Sequence, residues 1–281
     1  MASIPVDDDV PLVVRVLAGN SVTSVCILAC INTANTGALR RLHPAVAVAV
    51  AGVPWADVTT PVKDAVRWRA ALPGAVAARL ADNQLFRRFS DAALAALVGV
   101  MYLDLSSRSD VTDNVLLGLP TTLRTLNVRA CGFITARASF VHLTALVSLD
   151  CSGTGVAKLH TEGLPPSLQM LCISSEVSGI NLLESMSLTH LTHLRVLRAS
   201  VSDLNDVTLA SLPPSLVELD VNECRSLTAA ASFSHLRALQ LLSATDSAFD
   251  DTTLMRLPPS LVYLDVRWCS ALTSAAALPP L

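Results

Sequence analysis

One short pattern returns along the chain at nearly constant spacing. The stretch LPPSLVELDVNEC at Leu212–Cys224 recurs as LPPSLVYLDVRWC at Leu257–Cys269, and both contain the core L-x-x-L-x-V-x-x-C. In the first copy, Leu219 and Val221 are two residues apart, so their side chains point to the same side of an extended strand. The prolines before this core have no N–H to give a sheet, which favours the approach to a strand over its middle. The pattern therefore predicts a short strand that buries one side.

Variants of this core occur eight times. The leading apolar residue lies at Val100, Leu123, Leu146, Leu168, Leu194, Leu216, Leu239 and Leu261, in steps of 22 to 26 residues. A period in this range indicates a solenoid, because each unit is too small to bury its apolar side alone and stacks on its neighbours. We number the positions of each unit from the leading residue, so that Leu219 is at position 4 and Cys224 is at position 9.

These units resemble the leucine-rich repeat, specifically its cysteine-containing type, and the resemblance covers about two thirds of the chain. It implies an α/β solenoid with a curved parallel sheet on the concave face and short helices or irregular segments on the convex side. About eight repeats are expected in a domain at residues 97–281. Residues 1–96 are expected to form an α-helical N-terminal module that caps the first repeat, because the apolar edge of that repeat is otherwise exposed.

The N-terminal residues carry helix signals. Val10–Ala18 and Val22–Ile31 are predicted to be apolar helices, after a leader at residues 1–9. The segment at residues 10–55 resembles an F-box, which pairs a short apolar helix with a second helix that ends in basic residues, followed by a tryptophan. The residues that carry this resemblance are Pro11, Val14, Leu17, Val25, Leu28, Ile31, Arg40, Arg41 and Trp55. The resemblance implies that these helices dock a ubiquitin-ligase adaptor.

Residues 56–96 also favour helices. Val62–Leu72 and Ala75–Leu80 are predicted helices on either side of the Pro73-Gly74 break. Residues spaced to lie on buried faces of this region are Trp68, Leu85, Phe86 and Phe89. We interpret the region mainly as part of the cap.

A second motif, S/T/N/D-D-x-x-L-x-x-L, predicts short helices on the convex side, because its first residue can accept hydrogen bonds from the free N–H groups of a helix. The motif occurs at Ser90–Leu97, Thr112–Leu119, Asn205–Leu212 and Asp250–Leu257. Return segments without it are expected to be irregular or to form one helical turn, which gives a higher-order unit of about 45 residues. Equivalent places in this cycle hold His142, His190 and His235, for which we expect solvated or locally hydrogen-bonded imidazoles rather than a metal site.

Composition and charge exclude several classes of protein. The 281 residues are 52% hydrophobic and 15% charged, whereas an average soluble domain has about 25% charged residues, and stacked units account for the apolar excess. No stretch reaches the roughly 20 apolar residues of a membrane helix. The acidic N-terminus lacks the positive charge of a secretory or mitochondrial signal. We therefore expect no membrane association and an intracellular, cytoplasmic location.

Seven cysteines are present, and three of them, Cys131, Cys224 and Cys269, share position 9. Stacked unpaired thiols suit a reducing compartment, where buried cysteine acts as a small apolar residue. Cys26 and Cys30 are four residues apart, but no further Cys or His lies at metal-ligand spacing, so core packing is the better interpretation. We expect neither a metal nor a cofactor.

Nucleic-acid binding and catalysis find little support. The net charge is −3, with eight basic and three acidic residues in Arg40–Arg88 but eleven basic and sixteen acidic ones at residues 98–281. The basic segment lacks the dense clustering of a nucleic-acid surface. No phosphate-binding loop or metalloprotease motif is present, and the glycines of Cys151-Ser152-Gly153-Thr154-Gly155 are best explained by a tight turn. We expect no catalytic residues.

Positions 3, 5 and 7 of each unit are predicted to face the concave side, because side chains alternate along a strand. Position 5 is mostly acidic. Either its aspartates only keep the sheet soluble, or they line a groove for a partner that bears Lys or Arg. Tyr, Trp and Arg dominate interface energetics, which makes Tyr263, Arg267 and Trp268 the best hot-spot candidates. The predicted partner-binding residues are Tyr102, Asp104, Arg129, Asp150, Arg198, Asp220, Tyr263, Asp265, Arg267 and Trp268.

These patterns predict a non-enzymatic scaffold that binds a partner protein on the concave face. The alternative is an F-box-like substrate receptor of a cullin-type ubiquitin ligase, in which residues 10–55 dock the adaptor and the concave face holds the target. The last repeat ends in Leu278–Leu281 without a polar cap, so we expect a partner, a second copy or a continuation of the chain to cover it.

Overall fold

A computed structural model describes residues 12–18, 27–28, 31–80, 89–155, 163–175, 187–274 and 276. The predictions made for the leader at residues 1–9, for most of the Val22–Ile31 helix with Cys26 and Cys30, for Leu85 and Phe86, and for Leu278–Leu281 lie outside these residues. Within them, a group of helices precedes a long parallel sheet whose strands are joined by return segments.

Ten short strands form one sheet, in which they follow each other in sequence order. They are β1 Pro61–Val62, β2 Ala77–Leu80, β3 Tyr102–Asp104, β4 Thr125–Asn127, β5 Ser148–Asp150, β6 Met170–Cys172, β7 Val196–Arg198, β8 Glu218–Asp220, β9 Leu241–Ser243 and β10 Tyr263–Asp265. Every neighbouring pair is parallel. The sheet therefore grows by one strand for each unit, which is the geometry of a solenoid.

The leucines at position 4 form one internal column. They pair in register as Leu103, Leu126, Leu149, Leu171, Leu197, Leu219, Leu242 and Leu264. All but the last are at most 2% exposed, and Leu264 is half-buried. The predicted strand phase is confirmed, and the architecture is a leucine-rich-repeat solenoid of the α/β class.

The helices occupy the N-terminal region and alternate return segments. They are α1 Leu12–Ala18, α2 Thr36–Leu42, α3 Pro44–Gly52, α4 Ala65–Ala71, α5 Asp91–Ala96, α6 Asp113–Leu117, α7 Asp206–Ala210 and α8 Asp251–Leu254, and a 3-10 turn at Thr33–Asn35 precedes α2. Helix α1 agrees with the predicted Val10–Ala18 helix. No helix in the described part of the chain has both the length and the apolar content to cross a bilayer.

The capping motif correctly predicts α5 to α8. The side chains of Ser90, Asn205 and Asp250 each accept a hydrogen bond from the N–H three residues further on, at 3.2, 2.9 and 2.8 Å. Thr112 precedes α6 without such a bond. These bonds satisfy helix N–H groups that have no partner inside the helix.

Two strands lie where the sequence predicts helices. The predicted helix Val62–Leu72 is shorter, because Asp64 caps α4 by accepting from the N–H of Arg67 at 3.0 Å. The predicted helix Ala75–Leu80 is wrong, because Ala77–Leu80 forms β2 and pairs with β3. Pairing with a neighbouring strand overrides the helix preference of an alanine-rich segment. The sheet thus continues across residue 96, where the sequence predicts a boundary between two domains. This domain boundary stays a prediction.

Position 9 carries a ladder of thiols and hydroxyls inside the solenoid. The Sγ atoms of Cys131, Cys224 and Cys269 donate to the position-6 carbonyl of the preceding unit at 3.1, 3.2 and 3.1 Å. In three other units Thr154, Ser202 and Ser247 occupy position 9, and each hydroxyl donates to the position-6 carbonyl of its own unit. From Leu194 to Cys269 hydroxyl-bearing and thiol-bearing units alternate in step with the 45-residue cycle, whereas the units at Val100 and Leu168 have Arg108 and Glu176 at position 9.

A second set of bonds joins the helices α6, α7 and α8 to the unit that follows each of them. The first residue of the helix is an aspartate, and its Oδ1 atom accepts the N–H of a threonine 22 residues further on at 2.8 to 3.0 Å. The pairs are Asp113 with Thr135, Asp206 with Thr228 and Asp251 with Thr273. Their recurrence at one spacing indicates a structural role in stacking the units.

The equivalent histidines lie in the irregular return segments. The Nε2 atoms of His142, His190 and His235 are buried and have no hydrogen-bond partner among the described residues. The expectation of solvated or hydrogen-bonded imidazoles therefore fails for this ring atom. No three His, Cys, Asp or Glu side chains in the described ranges come close enough to hold a metal ion.

Two polar residues hold the N-terminal region together. Arg69 of α4 donates to the carbonyl oxygens of Ala96 at 2.7 Å and Val98 at 3.1 Å, and also to those of Pro73 and Ala75. The carboxylate of Asp57 accepts hydrogen bonds from Thr33, Thr59 and Thr60. Each links segments that are distant in the sequence.

Candidate recognition surface

The strand register arranges the predicted partner-binding residues in rows. Position 5 forms one line across the sheet, composed of Asp104, Asn127, Asp150, Cys172, Arg198, Asp220, Ser243 and Asp265. Position 3 forms a parallel line that begins at Tyr102 and ends at Tyr263. Seven strand spacings of ~4.8 Å separate these two tyrosines, which is ~34 Å. The ten predicted residues therefore form a belt along the concave face rather than one compact site.

The aspartates of position 5 end each strand by a local hydrogen bond. The Oδ1 atoms of Asp104, Asp150 and Asp220 accept the N–H of position 7 at 2.9, 3.0 and 3.0 Å. Asn127 makes the same bond to the N–H of Arg129 at 2.9 Å. Such turns are a common use of Asp and Asn. This role accounts for the acidic row, and no basic partner protein is needed to explain it. The recurrence of Asp or Asn at position 5 in five of the eight units is the sequence pattern that predicts these turns.

Ion pairs neutralise much of the remaining charge on this face. Arg79 lies 3.6 Å from Asp104, and Arg198 donates to Glu218 on the neighbouring strand at 2.9 Å. The hydrogen bond from Glu218 raises the pKa of Arg198. Pairs of this kind contribute little stability when they are exposed, but they reduce the field that would attract a strongly charged partner.

Asp265, which the sequence predicts to contact a partner, is buried and already paired within the chain. Its side chain accepts two parallel hydrogen bonds from Arg267, with Nε at 2.9 Å and Nη2 at 2.7 Å, and the residue is only 8% exposed. These bonds lower the pKa of Asp265. Its role is to hold the guanidinium of Arg267, which stays exposed on the surface.

Position 8 adopts the left-handed backbone conformation. This holds for Ser107, Ala130, Gly153, Val201, Glu223, Asp246 and Trp268, with φ between 48° and 67°. Gly153 confirms the tight turn predicted for its segment. Trp268 has a φ of 65° and is 81% exposed, so it does not pack against the next turn in the described part of the chain. A bulky side chain is uncommon in this conformation.

Apolar and aromatic side chains collect at the C-terminal end of the belt. Leu241 and Tyr263 are direct neighbours across β9 and β10, and both are exposed. Val262, Arg267 and Trp268 of the same unit are exposed as well, with Val262 and Trp268 at positions 2 and 8, outside the concave rows. We call these five residues the C-terminal aromatic patch. The sequence prediction lacked Leu241 and Val262, although their places at positions 3 and 2 were visible in the repeat alignment.

The thiols near this surface are not activated nucleophiles. Burial raises the pKa of Cys131 to about 11 and that of the half-buried Cys172, on the position-5 line, also to about 11. A reactive cysteine needs a lowered pKa. All five cysteines in the described ranges are free.

No protein-family model and no curated protein sequence matches the chain. Among solved structures, the chain is similar to an internalin, InlF, from Listeria monocytogenes, with 15% identity, a TM-score of 0.46, and coverage of 82% of this chain and 75% of that one. It is also similar to the leucine-rich repeat-containing protein LegL7 from Legionella pneumophila, with 16% identity, a TM-score of 0.42, and coverage of 74% of this chain and 88% of that one. The assignment of the fold, a leucine-rich-repeat solenoid, follows from the strand register and the buried leucine column.

Proposed function

We propose that this protein is a non-enzymatic recognition module that binds a partner protein along its concave face. The observation that carries the proposal is the C-terminal aromatic patch. Tyr263 is 54% exposed, and the larger Trp268 is 81% exposed within the described chain. Exposed Tyr, Trp and Arg side chains on a rigid surface are the residue types that supply most interface energy. The parallel sheet holds Tyr263 and the hydrogen bonds to Asp265 hold Arg267 before binding, which lowers the entropy cost of association.

The test compares the wild-type chain with the double variant Tyr263→Ala/Trp268→Ala. Partners are identified by affinity purification and mass spectrometry, and the affinity of each purified partner is then measured by calorimetry. We expect at least one partner of the wild type to bind the double variant at least tenfold more weakly, because truncating a hot-spot residue costs more than about 1.4 kcal/mol.

The matched control is Val207→Ala, which removes an exposed apolar side chain from α7 on the convex side. It should leave the same affinity unchanged. If every partner binds the double variant as tightly as the wild type, the concave face is not the recognition surface.

The F-box-like alternative has one observation in its favour. Helix α3 is apolar on all sides, and Val48 of α3 and Leu42 of α2 are exposed. An apolar helix surface of this kind suits docking to another helix. As a ubiquitin-ligase substrate receptor, the chain would bind the adaptor through these helices, with Trp55 fixing α3 by donating to the carbonyl of Val50 at 2.8 Å.

The alternative is tested with the purified ligase adaptor and the full chain. Binding that is lost in Leu42→Asp/Val48→Asp but kept in Tyr263→Ala/Trp268→Ala favours the ligase receptor. If the full chain does not bind the adaptor, the ligase-receptor alternative is wrong and the proposal of a recognition module without a ligase role stands.

The proposal includes the cysteine-containing type of repeat and a reducing, cytoplasmic location. Both are supported by the position-9 thiols, which are unpaired and donate to backbone carbonyls. A disulfide would break those bonds.

A further inference from the structure

A groove lies on the convex side between α6 and the return segment of the next unit. It is about 330 Å³ in volume and is lined by Thr112, Asp113, Asn114, Leu117, Phe133 and Arg137. We call it the convex groove. It faces away from the concave belt, because α6 and the segment after Cys131 belong to the return halves of their units.

The convex groove exposes large apolar side chains. Leu117 is 60% exposed and Phe133 is 61% exposed, and both line the convex groove. Single exposed apolar residues are common on protein surfaces, whereas two that share one groove more often mark an interaction site.

Comparison with the equivalent units shows that the fold does not require these residues. Phe133 stands two residues after Cys131. The residues two positions after the equivalent cysteines, Cys224 and Cys269, are Ser226 and Ala271. In the unit of Cys224, Leu117 corresponds to Ala210 and Arg137 corresponds to Ala230. The small residues at these places are exposed and their units have the same strands and Asp–Thr bonds.

The charge of the convex groove comes from Arg137. Its backbone N–H donates to Thr135, but its guanidinium forms no hydrogen bond or ion pair with any described residue. The one carboxylate that lines the groove, that of Asp113, is held by the N–H of Thr135 at 2.8 Å and by its hydroxyl at 2.6 Å. An exposed guanidinium next to apolar side chains favours a ligand with a carboxylate, because such hydrogen bonds are charge-assisted and often bidentate.

We propose that the convex groove is a docking site for a peptide segment of a partner protein that carries an apolar side chain a few residues from an Asp or Glu. The apolar side chain packs between Leu117 and Phe133, and the carboxylate accepts from Arg137. This site is separate from the concave face, so it stands whether or not the C-terminal aromatic patch binds a partner.

The test uses a phage-displayed library of random dodecapeptides that is selected on the full chain. Enriched peptides are then synthesised, and their affinities are measured by fluorescence anisotropy. The key variant is Leu117→Ala/Phe133→Ser/Arg137→Ala, which copies the residues of the equivalent unit and is therefore expected to fold. Thermal unfolding of this variant, compared with the wild type, checks that expectation.

We expect the enriched peptides to combine an acidic residue with Leu, Ile or Phe, and to bind the triple variant at least tenfold more weakly. Tyr263→Ala/Trp268→Ala should bind them as the wild type does. Selection on the charge-reversed Arg137→Glu should replace the acidic residue by Lys or Arg. The proposal is overturned if the library yields no binder, or if the enriched peptides bind the triple variant as tightly as the wild type.

Discussion

The Sγ atom of Cys224 lies 3.2 Å from the carbonyl oxygen of Ala199, which belongs to the preceding unit. The same carbonyl accepts the hydroxyl of Ser202 from its own unit. In the same way, the carbonyl oxygen of Ala244 accepts hydrogen bonds from the hydroxyl of Ser247 and the thiol of Cys269. A buried carbonyl oxygen has two lone pairs, and both are used here. Cys224 and Cys269 are thus hydrogen-bond donors as well as apolar side chains of the core.

The buried thiols should resist alkylation. Because burial raises the pKa of Cys131 to about 11, its thiol stays protonated at pH 8 and reacts slowly. We expect iodoacetamide to label Cys131 fully in guanidinium-unfolded protein and very little in native protein over the same time, as measured by peptide mass spectrometry. Equal labelling rates would contradict the buried thiol ladder.

The same pKa difference makes the protein less stable at high pH. In the unfolded chain the thiol has its ordinary pKa of 9.0, whereas burial in the folded chain raises the pKa of Cys131 to about 11. Stability is therefore lost as the pH rises from about 9 to about 11. Urea unfolding across this range should show a smaller loss for Cys131→Ala than for the wild type.

Neighbouring residues of β8 should differ strongly in their effect on folding. Leu219→Ala leaves a cavity in the leucine column and should cost about 2–5 kcal/mol. Asp220→Ala removes the bond to the N–H of Asn222 and should cost about 0.5–1.5 kcal/mol. Asp220→Asn retains an acceptor, as Asn127 does naturally, and should be close to neutral. Urea unfolding measures all three, and equal costs for Leu219→Ala and Asp220→Ala would show that the strand phase is wrong.

Asp57 should make the N-terminal region sensitive to acid. Burial opposes its ionisation, but hydrogen bonds from Thr33, Thr60 and Thr59 outweigh burial and lower the pKa of Asp57 below its ordinary value of 3.8. A lowered pKa contributes stability above the unfolded value that is lost as the pH falls below it. Asp57→Asn should therefore lower the unfolding temperature at pH 7, and its difference from the wild type should shrink below about pH 4.

The control for this experiment is Asp91→Asn, which changes an exposed carboxylate in α5. It should alter the unfolding temperature little at either pH. A difference between Asp57→Asn and the wild type that grows on acidification would contradict the assignment.

Arg69 should be irreplaceable by lysine. Its planar guanidinium reaches four carbonyl oxygens, whereas an ammonium group is a compact donor that does not span them. Arg69→Ala should cost about 1.5–3 kcal/mol, and Arg69→Lys should recover only a small part. Arg67→Ala, two residues earlier and largely exposed, is the matched control and should be nearly neutral in thermal unfolding.

Much of the solenoid was predictable because its leucines recur with a strand period of two. Leu126, Leu149 and Leu171 are buried in one column as expected, and the capped helices begin where Ser90 and Asn205 indicate. Strand β2 was missed because Ala77–Leu80 is an alanine-rich segment without β-branched residues, and only its pairing with β3 makes it a strand.

The surface was less predictable because local bonds decide which groups remain available. Asp265 was expected to face a partner, but the fork of Arg267 covers it. The convex groove depends on Phe133 and Arg137 meeting Leu117 from the preceding unit. Predicting this contact from the sequence requires knowing that α6 stacks on an irregular return segment rather than on another helix.

The alternation at position 9 sets a rule for changing the length of the array. Inserting a second hydroxyl-bearing unit of 22 or 23 residues directly after an existing one, such as that of Ser202, would separate the position-6 carbonyl of the existing unit from the thiol that now donates to it. Inserting a pair of units continues the sequence of donors without interruption. Between Leu194 and Cys269, extension of this chain by a pair of units should therefore be tolerated better than extension by a single hydroxyl-bearing unit.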